Sequence, residues 1–166
     1  MKNNVKEMLL ALADAGVAYV VAGGVAAVMH GVERVTLDLD ISVQMEPENI
    51  KRLINAMKDQ GLQPRVPVPP ELLLDPAQVQ RIVIEKNALV FTFIDLKDPY
   101  RHVDIFLTED HRYELMAEDA IHITVEGRDI LIVSIERLLT MKRAVDPQRP
   151  KDMLDIAELT RIKEQS

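Results

Sequence analysis

The spacing of apolar residues changes along this chain, and each change of period marks an element. Val5, Met8, Leu9 and Leu12 recur at helical spacing and Gly16 stops the run, so a helix is predicted over residues 2–15. Tyr19, Val20 and Val21 are β-prone and lead into Ala22-Gly23-Gly24, after which VAAVMHG reads as a short helix closed by Gly31 in a left-handed cap. The order is strand, glycine turn, helix.

A period of two follows. Leu37, Leu39, Ile41 and Val43 alternate with Asp38, Asp40, Ser42 and Gln44, which predicts a strand over residues 37–43 with apolar side chains on one face and carboxylates on the other. Pro47 sits near a helix start, and Ile50, Leu53, Ile54 and Met57 form one stripe before Gly61. Pro64, Pro67, Pro69 and Pro70 predict a surface loop over residues 63–70, with helix resuming between Glu71 and Lys86. Residues 89–94 and 102–107 flank a turn-rich segment, residues 95–101, and predict an antiparallel pair. Residues 121–125 and 130–133 around Gly127 predict a hairpin or a strand plus an edge. Ser134 can cap a helix carrying Leu138, Leu139, Met141 and Val145, and DPQRP breaks the chain before a last helix from about Lys151.

Composition narrows the picture. The 166 residues, 48% hydrophobic and 28% charged, suit one globular domain, with a core over residues 1–110 and a closing hairpin and helices over residues 111–166. A net charge of -7 argues against a general basic surface for nucleic acid, leaving only a local basic groove. The absence of cysteine excludes disulfides, thiolate metal sites and cysteine nucleophiles, and suits a reducing compartment such as the cytoplasm. The longest apolar stretch, residues 17–29, is broken by Gly23-Gly24 and falls short of the roughly 20 residues that span a bilayer. The start, MKNNVKEMLL, lacks the apolar run of an export signal. Neither membrane anchor nor leader is expected.

The candidate chemistry is acidic. Two positions apart on one strand face, Asp38 and Asp40 have α-carbons about 6 to 7 Å apart, so both carboxylates can reach one cation or a close pair. An isolated DxD also fits the wet face of an edge strand. Asp104 stands in HVDIFL, where Val103, Ile105 and Leu107 face one way and His102, Asp104 and Phe106 the other; a water-exposed strand end is the plain alternative. Three converging aspartates repel one another unless a hard cation offsets them, and magnesium with oxygen ligands is the natural occupant. Gly23-Gly24, between strand and helix, can offer bare backbone N–H groups to a phosphate, or can be a tight turn. No Lys-Ser/Thr follows as in a P-loop, and no full GxGxxG is present.

Taken together, AGG, thirteen residues, then DLDI, and a later VDIF, resemble the nucleotidyltransferase superfamily signature of GG or GS followed by DxD. HGVERVTLDLDI is most similar to the branch that includes AbiEii-like toxin nucleotidyltransferases and small relatives, and LLTMKRAVDPQRPKDMLDI resembles that branch's closing helices. The resemblance implies an α/β fold, a mixed sheet flanked by helices with a C-terminal helical pair. It implies Asp38 and Asp40 as paired metal ligands, Asp104 as the third acid, and Gly23-Gly24 as a triphosphate-facing loop. Arg34, Thr36 and Lys142 match recurring nucleotide-binding positions, although a solvated loop arginine and a surface lysine are the bland alternatives. Lys151, Asp152 and Asp155 match a charged tail motif; Lys151 is expected to stay solvated, and Asp155 to bond another element and hold Lys142. His102 shares the Asp104 face and is a candidate for touching substrate, and His30 is expected at a helix C-terminus. Gly24 stands where the GS form has a hydroxyl, leaving that loop to its backbone.

The implied activity is transfer of a nucleoside monophosphate from a nucleoside triphosphate to an acceptor, with release of pyrophosphate. The implied cofactor is Mg2+, two ions, with Mn2+ an alternative. The acceptor is open between RNA, protein and small molecule, and so are a homodimer and a partner protein. A non-catalytic, antitoxin-like regulator and a metal-dependent phosphodiesterase are the competing readings.

Overall fold

The structure, a computed structural model, describes residues 4–166. In chain order it comprises α1 (Asn4–Asp14), β1 (Tyr19–Ala22), α2 (Gly23–His30), β2 (Leu39–Val43), α3 (Pro47–Asp59), β3 (Gln63–Pro64), α4 (Pro76–Lys86), β4 (Val90–Asp95), β5 (Asp98–Phe106), α5 (Tyr113–Ala117), β6 (Ile121–Val125), β7 (Arg128–Ile132), α6 (Ile135–Arg143) and α7 (Pro150–Glu164). Single 3-10 turns at Pro70–Leu74 and Glu109–His111 complete it. Among the described residues no helix is long and apolar enough to cross a membrane.

The strands form one mixed sheet in the order β3-β4-β5-β2-β1-β7-β6. β2 lies between β1, to which it is antiparallel, and β5, to which it is parallel. Register then sorts the side chains. Tyr19, Val21, Leu39, Ile41, Val103, Ile105 and Ile132 share one face, since paired residues point the same way. Tyr19 anchors α1 there by donating its hydroxyl to the Leu9 carbonyl at 2.8 Å. Leu39, Ile41, Val103 and Ile105 are all at most 1% exposed. Burial of each stabilises the fold by about 1.5 to 3 kcal/mol.

The opposite face is mixed. It carries Val20, Ala22, Asp40, Ser42, Thr92 and Asp104. Ser42, 1% exposed, is satisfied by donating to the His111 carbonyl. α2 lies on this side of the chain path, and α6 and α7 pack on each other and on α2.

Several local expectations are met for the reasons given. Gly31 caps α2 at φ 118°, Ser134 accepts from the Arg137 N–H at the start of α6, and Gly127 turns the β6–β7 hairpin at φ 79°. β7 continues the sheet in parallel beside β1, which a linear pattern of hydrophobicity does not encode. Boundaries differ in several places: β5 already begins at Asp98, inside the predicted turn segment 95–101, and α6 ends at Arg143, before Val145. Lys2 and Asn3 of the first predicted helix lie outside the described residues. Within the predicted loop 63–70, Gln63 and Pro64 pair with Ile94 and Phe93 as an edge strand, where a proline is tolerated because its missing N–H faces no partner. The predicted strand 37–43 starts only at Leu39, where pairing with Val103 of β5 begins; Leu37 is 44% exposed and Asp38 lies before the first ladder pair.

Candidate active site

Two carboxylates are set by strand register. β2 and β5 run parallel with Asp40 opposite Asp104, so the two carboxyl groups stand on the same sheet face in adjacent strands. Asp104 accepts from the Thr92 hydroxyl at 2.5 Å, from the position opposite it on β4. Asp40 is pushed up to about 7, first by burial, then by the charges of Asp104 and Asp38, with Lys142 pulling weakly the other way. Near neutrality Asp40 therefore divides between its neutral and charged forms.

Asp38 is placed differently. Its side chain is 52% exposed and its Oδ1 lies 3.0 Å from Nε2 of His102, whose Nδ1 donates to the Pro99 carbonyl at 3.0 Å. The strand reading put Asp38 and Asp40 on one face. β2 begins at Leu39, so Asp38 precedes the ladder, and its carboxylate bonds His102, which lies two residues before Asp104 on β5. Asp38 still acts on Asp40 electrostatically. Among the described residues no group of three or more His, Asp or Glu side chains is drawn together as a metal would require. The donor chemistry nevertheless suits a hard cation: all three are carboxylates, and the repulsion that raises Asp40 is the kind that a divalent ion offsets.

The glycines are required by this crowding. Gly23 adopts φ 62°, and a Cβ there would stand 2.2 Å from Asp40 Oδ2. Gly23→Ala is therefore expected to strain the backbone and displace Asp40. We expect it to cost about 1 to 3 kcal/mol of stability by urea unfolding, together with the Asp40-dependent slope of stability on pH. At Gly24 a Cβ would lie 2.6 Å from Nη2 of Arg34 and 2.9 Å from the Thr36 hydroxyl oxygen. Arg34 and Thr36 thus occupy the space a serine would use. The loop is not left to its backbone alone, because a hydroxyl stands beside it from Thr36.

Behind α2 lies a buried ionic network. Asp155, fully buried, accepts from Arg34 Nε at 2.8 Å and Nη2 at 2.9 Å and from Lys142 Nζ at 2.7 Å. Burial alone would raise this carboxyl, yet the Arg34 and Lys142 hydrogen bonds hold it below the usual range. The expectation that Asp155 bonds another element and holds Lys142 agrees with this geometry. Lys142 is not a surface lysine: its side chain is 9% exposed. Lys151 is exposed, as expected. His30, expected only to favour a helix end, donates Nε2 to the Val133 carbonyl at 2.7 Å and ties α2 to the end of β7.

Two residues were missed by sequence reasoning. Thr92 had one available signal, its position in the strand pairing with VDIF. Arg149 had none, since its neighbours depend on how the chain folds back at the start of α7. Its Nε and Nη2 donate to Asp152 Oδ2 and Oδ1 at 2.7 and 3.0 Å, and Asp152 is fully buried.

Neither a protein-family model nor a curated protein matches this sequence. Solved structures do match its fold. The lincosamide antibiotic adenylyltransferase LnuA, lincomycin-bound, aligns over 98% of this chain and 98% of its own at TM-score 0.64 and 18% identity. The antibiotic-resistance factor ANT(2'')-Ia, in solution, aligns over 94% of this chain and 80% of its own at TM-score 0.58 and 13% identity. A nucleotidyltransferase-like protein from Paracoccidioides brasiliensis aligns over 93% and 72% at TM-score 0.55 and 13% identity. With a mixed sheet, its flanking helices and the Asp40–Asp104 pair at its centre, this chain has a nucleotidyltransferase-type fold.

Proposed function

We propose that this chain transfers a nucleoside monophosphate from a nucleoside triphosphate to the hydroxyl of a small-molecule acceptor, releasing pyrophosphate. The observation that carries the reading is the register of Asp40 with Asp104 beside the Gly23-Gly24 start of α2. Opposed carboxylates on a buried sheet face are costly without a compensating cation, and they stand next to backbone N–H groups suited to phosphate.

In this reading Asp40 and Asp104, with Asp38 as the third carboxylate, would hold Mg2+, with Mn2+ an alternative. Bound there, the metal supplies charge neutralisation at the α-phosphate and a lowered pKa for the attacking hydroxyl. The chain's own groups do the rest. Gly23 and Gly24 present N–H groups and the positive end of α2 to the triphosphate, and Thr36 adds its hydroxyl. Lys142, fixed by Asp155, places a cation near Asp40. Thr92 orients Asp104 by donating to it, leaving Oδ2 of Asp104 for the acceptor proton or the cation. Positioning and electrostatics supply most of the rate in such a site.

A small acceptor is supported by the likeness to LnuA, bound to lincomycin, and to ANT(2'')-Ia, solved with adenylyl-2''-tobramycin. The net charge of -7 favours a cationic small molecule over RNA. Within the superfamily, the AbiEii-like branch remains our reading of HGVERVTLDLDI and the tail. One observation favours a second reading, a non-catalytic regulator: Asp38 is already engaged by His102.

Calorimetry with Mg2+ and each of ATP, CTP, GTP and UTP separates the two. Metal-dependent binding of at least one nucleotide is expected for the enzyme, and its absence for all four overturns transfer. Incubation of the full chain with α-phosphate-labelled nucleotide and a panel of amino-bearing, hydroxylated small molecules is expected to give labelled acceptor and pyrophosphate. Labelled RNA or protein in place of a small product would overturn the acceptor class.

A further inference from the structure

Arg149 is held like a tool rather than left as a surface charge. It is the N-cap of α7, and its backbone N–H and side chain both bond Asp152 at the third position of the helix, so its orientation is locked from two directions. Asp152 is fully buried, whereas the Arg149 side chain is 54% exposed. The Nε and Nη2 edge is spent on Asp152, and among the described residues Nη1 has no partner. Next to it, the Gln148 side-chain amide donates to the Lys142 carbonyl at 2.7 Å, which pins this segment to the last turn of α6.

The guanidinium of Arg34 is committed differently. Its Nε and Nη2 both go to Asp155, and Nη1 reaches the Val35 carbonyl at 3.4 Å. Both arginines thus spend Nε and Nη2 on a buried aspartate, but the Arg34 side chain is 24% exposed with Nη1 turned to Val35, whereas that of Arg149 is 54% exposed with Nη1 open. The Asp152 hydrogen bonds hold the Arg149 charge most strongly, and Asp40 and Asp38 add to that hold from across the site. A fixed, half-exposed guanidinium with an open edge, on a segment tied to the Lys142 backbone, is the kind of donor a phosphate chain requires.

We infer that Arg149 binds the outer phosphates of the polyphosphate, the part that departs as pyrophosphate, while Arg34 acts from behind by positioning Asp155 and Lys142. The inference rests on the nucleotidyl-transfer reading for the identity of the leaving group. It does not need that reading for polyphosphate binding itself.

The test is calorimetry on the full chain with three probes, each with Mg2+: ATP, inorganic tripolyphosphate and AMP. Arg149→Ala is expected to weaken ATP and tripolyphosphate about ten- to a hundredfold, the range for losing a charge-assisted hydrogen bond, and to leave AMP within about twofold. Because alanine leaves Asp152 buried without its partner, Arg149→Lys is the companion: it keeps the ion pair and the melting temperature but not the fork, and should fall between. ATP binding unchanged in Arg149→Ala, or AMP weakened in parallel with ATP, overturns the inference while transfer stands. Tripolyphosphate held through Arg149 by a protein that transfers nothing sustains the inference and sinks the reaction. A wild-type chain that binds neither ATP nor tripolyphosphate overturns both.

Discussion

Asp40→Asn is expected to lower nucleotidyl transfer about a hundred- to a thousandfold, the scale seen when one electrostatic contact to the reacting centre is removed, while making the metal-free protein more stable near neutral pH. The two effects have one cause. Asp40 sits against Asp104 on the buried sheet face, and its carboxyl is pushed up to about 7 by burial and by the charges of Asp104 and Asp38. Between about pH 4 and 7 the folded chain keeps a proton there that the unfolded chain has released, so stability falls as pH rises through this window and is flat above it. The total is at most about 4 kcal/mol. Asparagine has no such proton and should lose the slope.

Urea midpoints from pH 4 to 8 without divalent cations measure this directly. Wild type should decline across the window, and Asp40→Asn should decline less. Adding Mg2+ at pH 8 should then raise the wild-type midpoint and leave Asp40→Asn unmoved. A wild-type midpoint indifferent to Mg2+ would remove the cation from the site, and equal pH slopes in the two proteins would remove Asp40 as the cause. Asp104→Asn should show the same loss of transfer, since it faces Asp40 in register.

Asp155→Ala should be the most destabilising substitution in the closing helices, at about 3 to 5 kcal/mol, because it strips two cations of their buried partner. Arg34 and Lys142 have side chains only 24% and 9% exposed and would both lose the carboxylate that accepts from them. The sign with pH is opposite to that of Asp40. The Asp155 carboxyl is held below its ordinary range, so its contribution is present above the ordinary carboxylate range and is lost as pH falls through the folded value. Thermal unfolding at pH 7 should show the full loss and unfolding at pH 3 a smaller one.

The informative companion is Arg34→Met, Lys142→Met and Asp155→Leu combined. Replacing a buried ionic cluster by apolar groups of similar size is often neutral or stabilising. The triple variant should melt near wild type and still bind nucleotide poorly. A triple variant as unstable as Asp155→Ala would make the network a source of stability in its own right.

What the chain alone made legible is local. Period-two alternation in HVDIFL separated Val103 and Ile105 from Asp104, because successive strand side chains must point to opposite faces. Gly31 and Ser134 announced a helix end and a helix start through their own backbone and hydroxyl chemistry. The order of Gly23-Gly24, Asp38, Asp40 and Asp104 was enough to suggest a site, since its parts are few and widely spaced.

Everything that depends on residues distant in sequence was decided by the tertiary structure. Asp40 meets Asp104 through a parallel register across a 64-residue separation, counted from 40 to 104, and parallel pairing leaves no mark on either strand alone. Asp38 fell on the wrong side of a strand boundary because pairing with β5 starts at Leu39, so a regular alternation ran two residues further than the sheet that would enforce it. Asp155 becomes buried only when α7 docks near Arg34, and Arg149 gains its role only when Asp152 is buried beneath it. Side-chain chemistry named the candidates; long-range packing determined which charges face one another, because burial and opposition are properties of the folded chain.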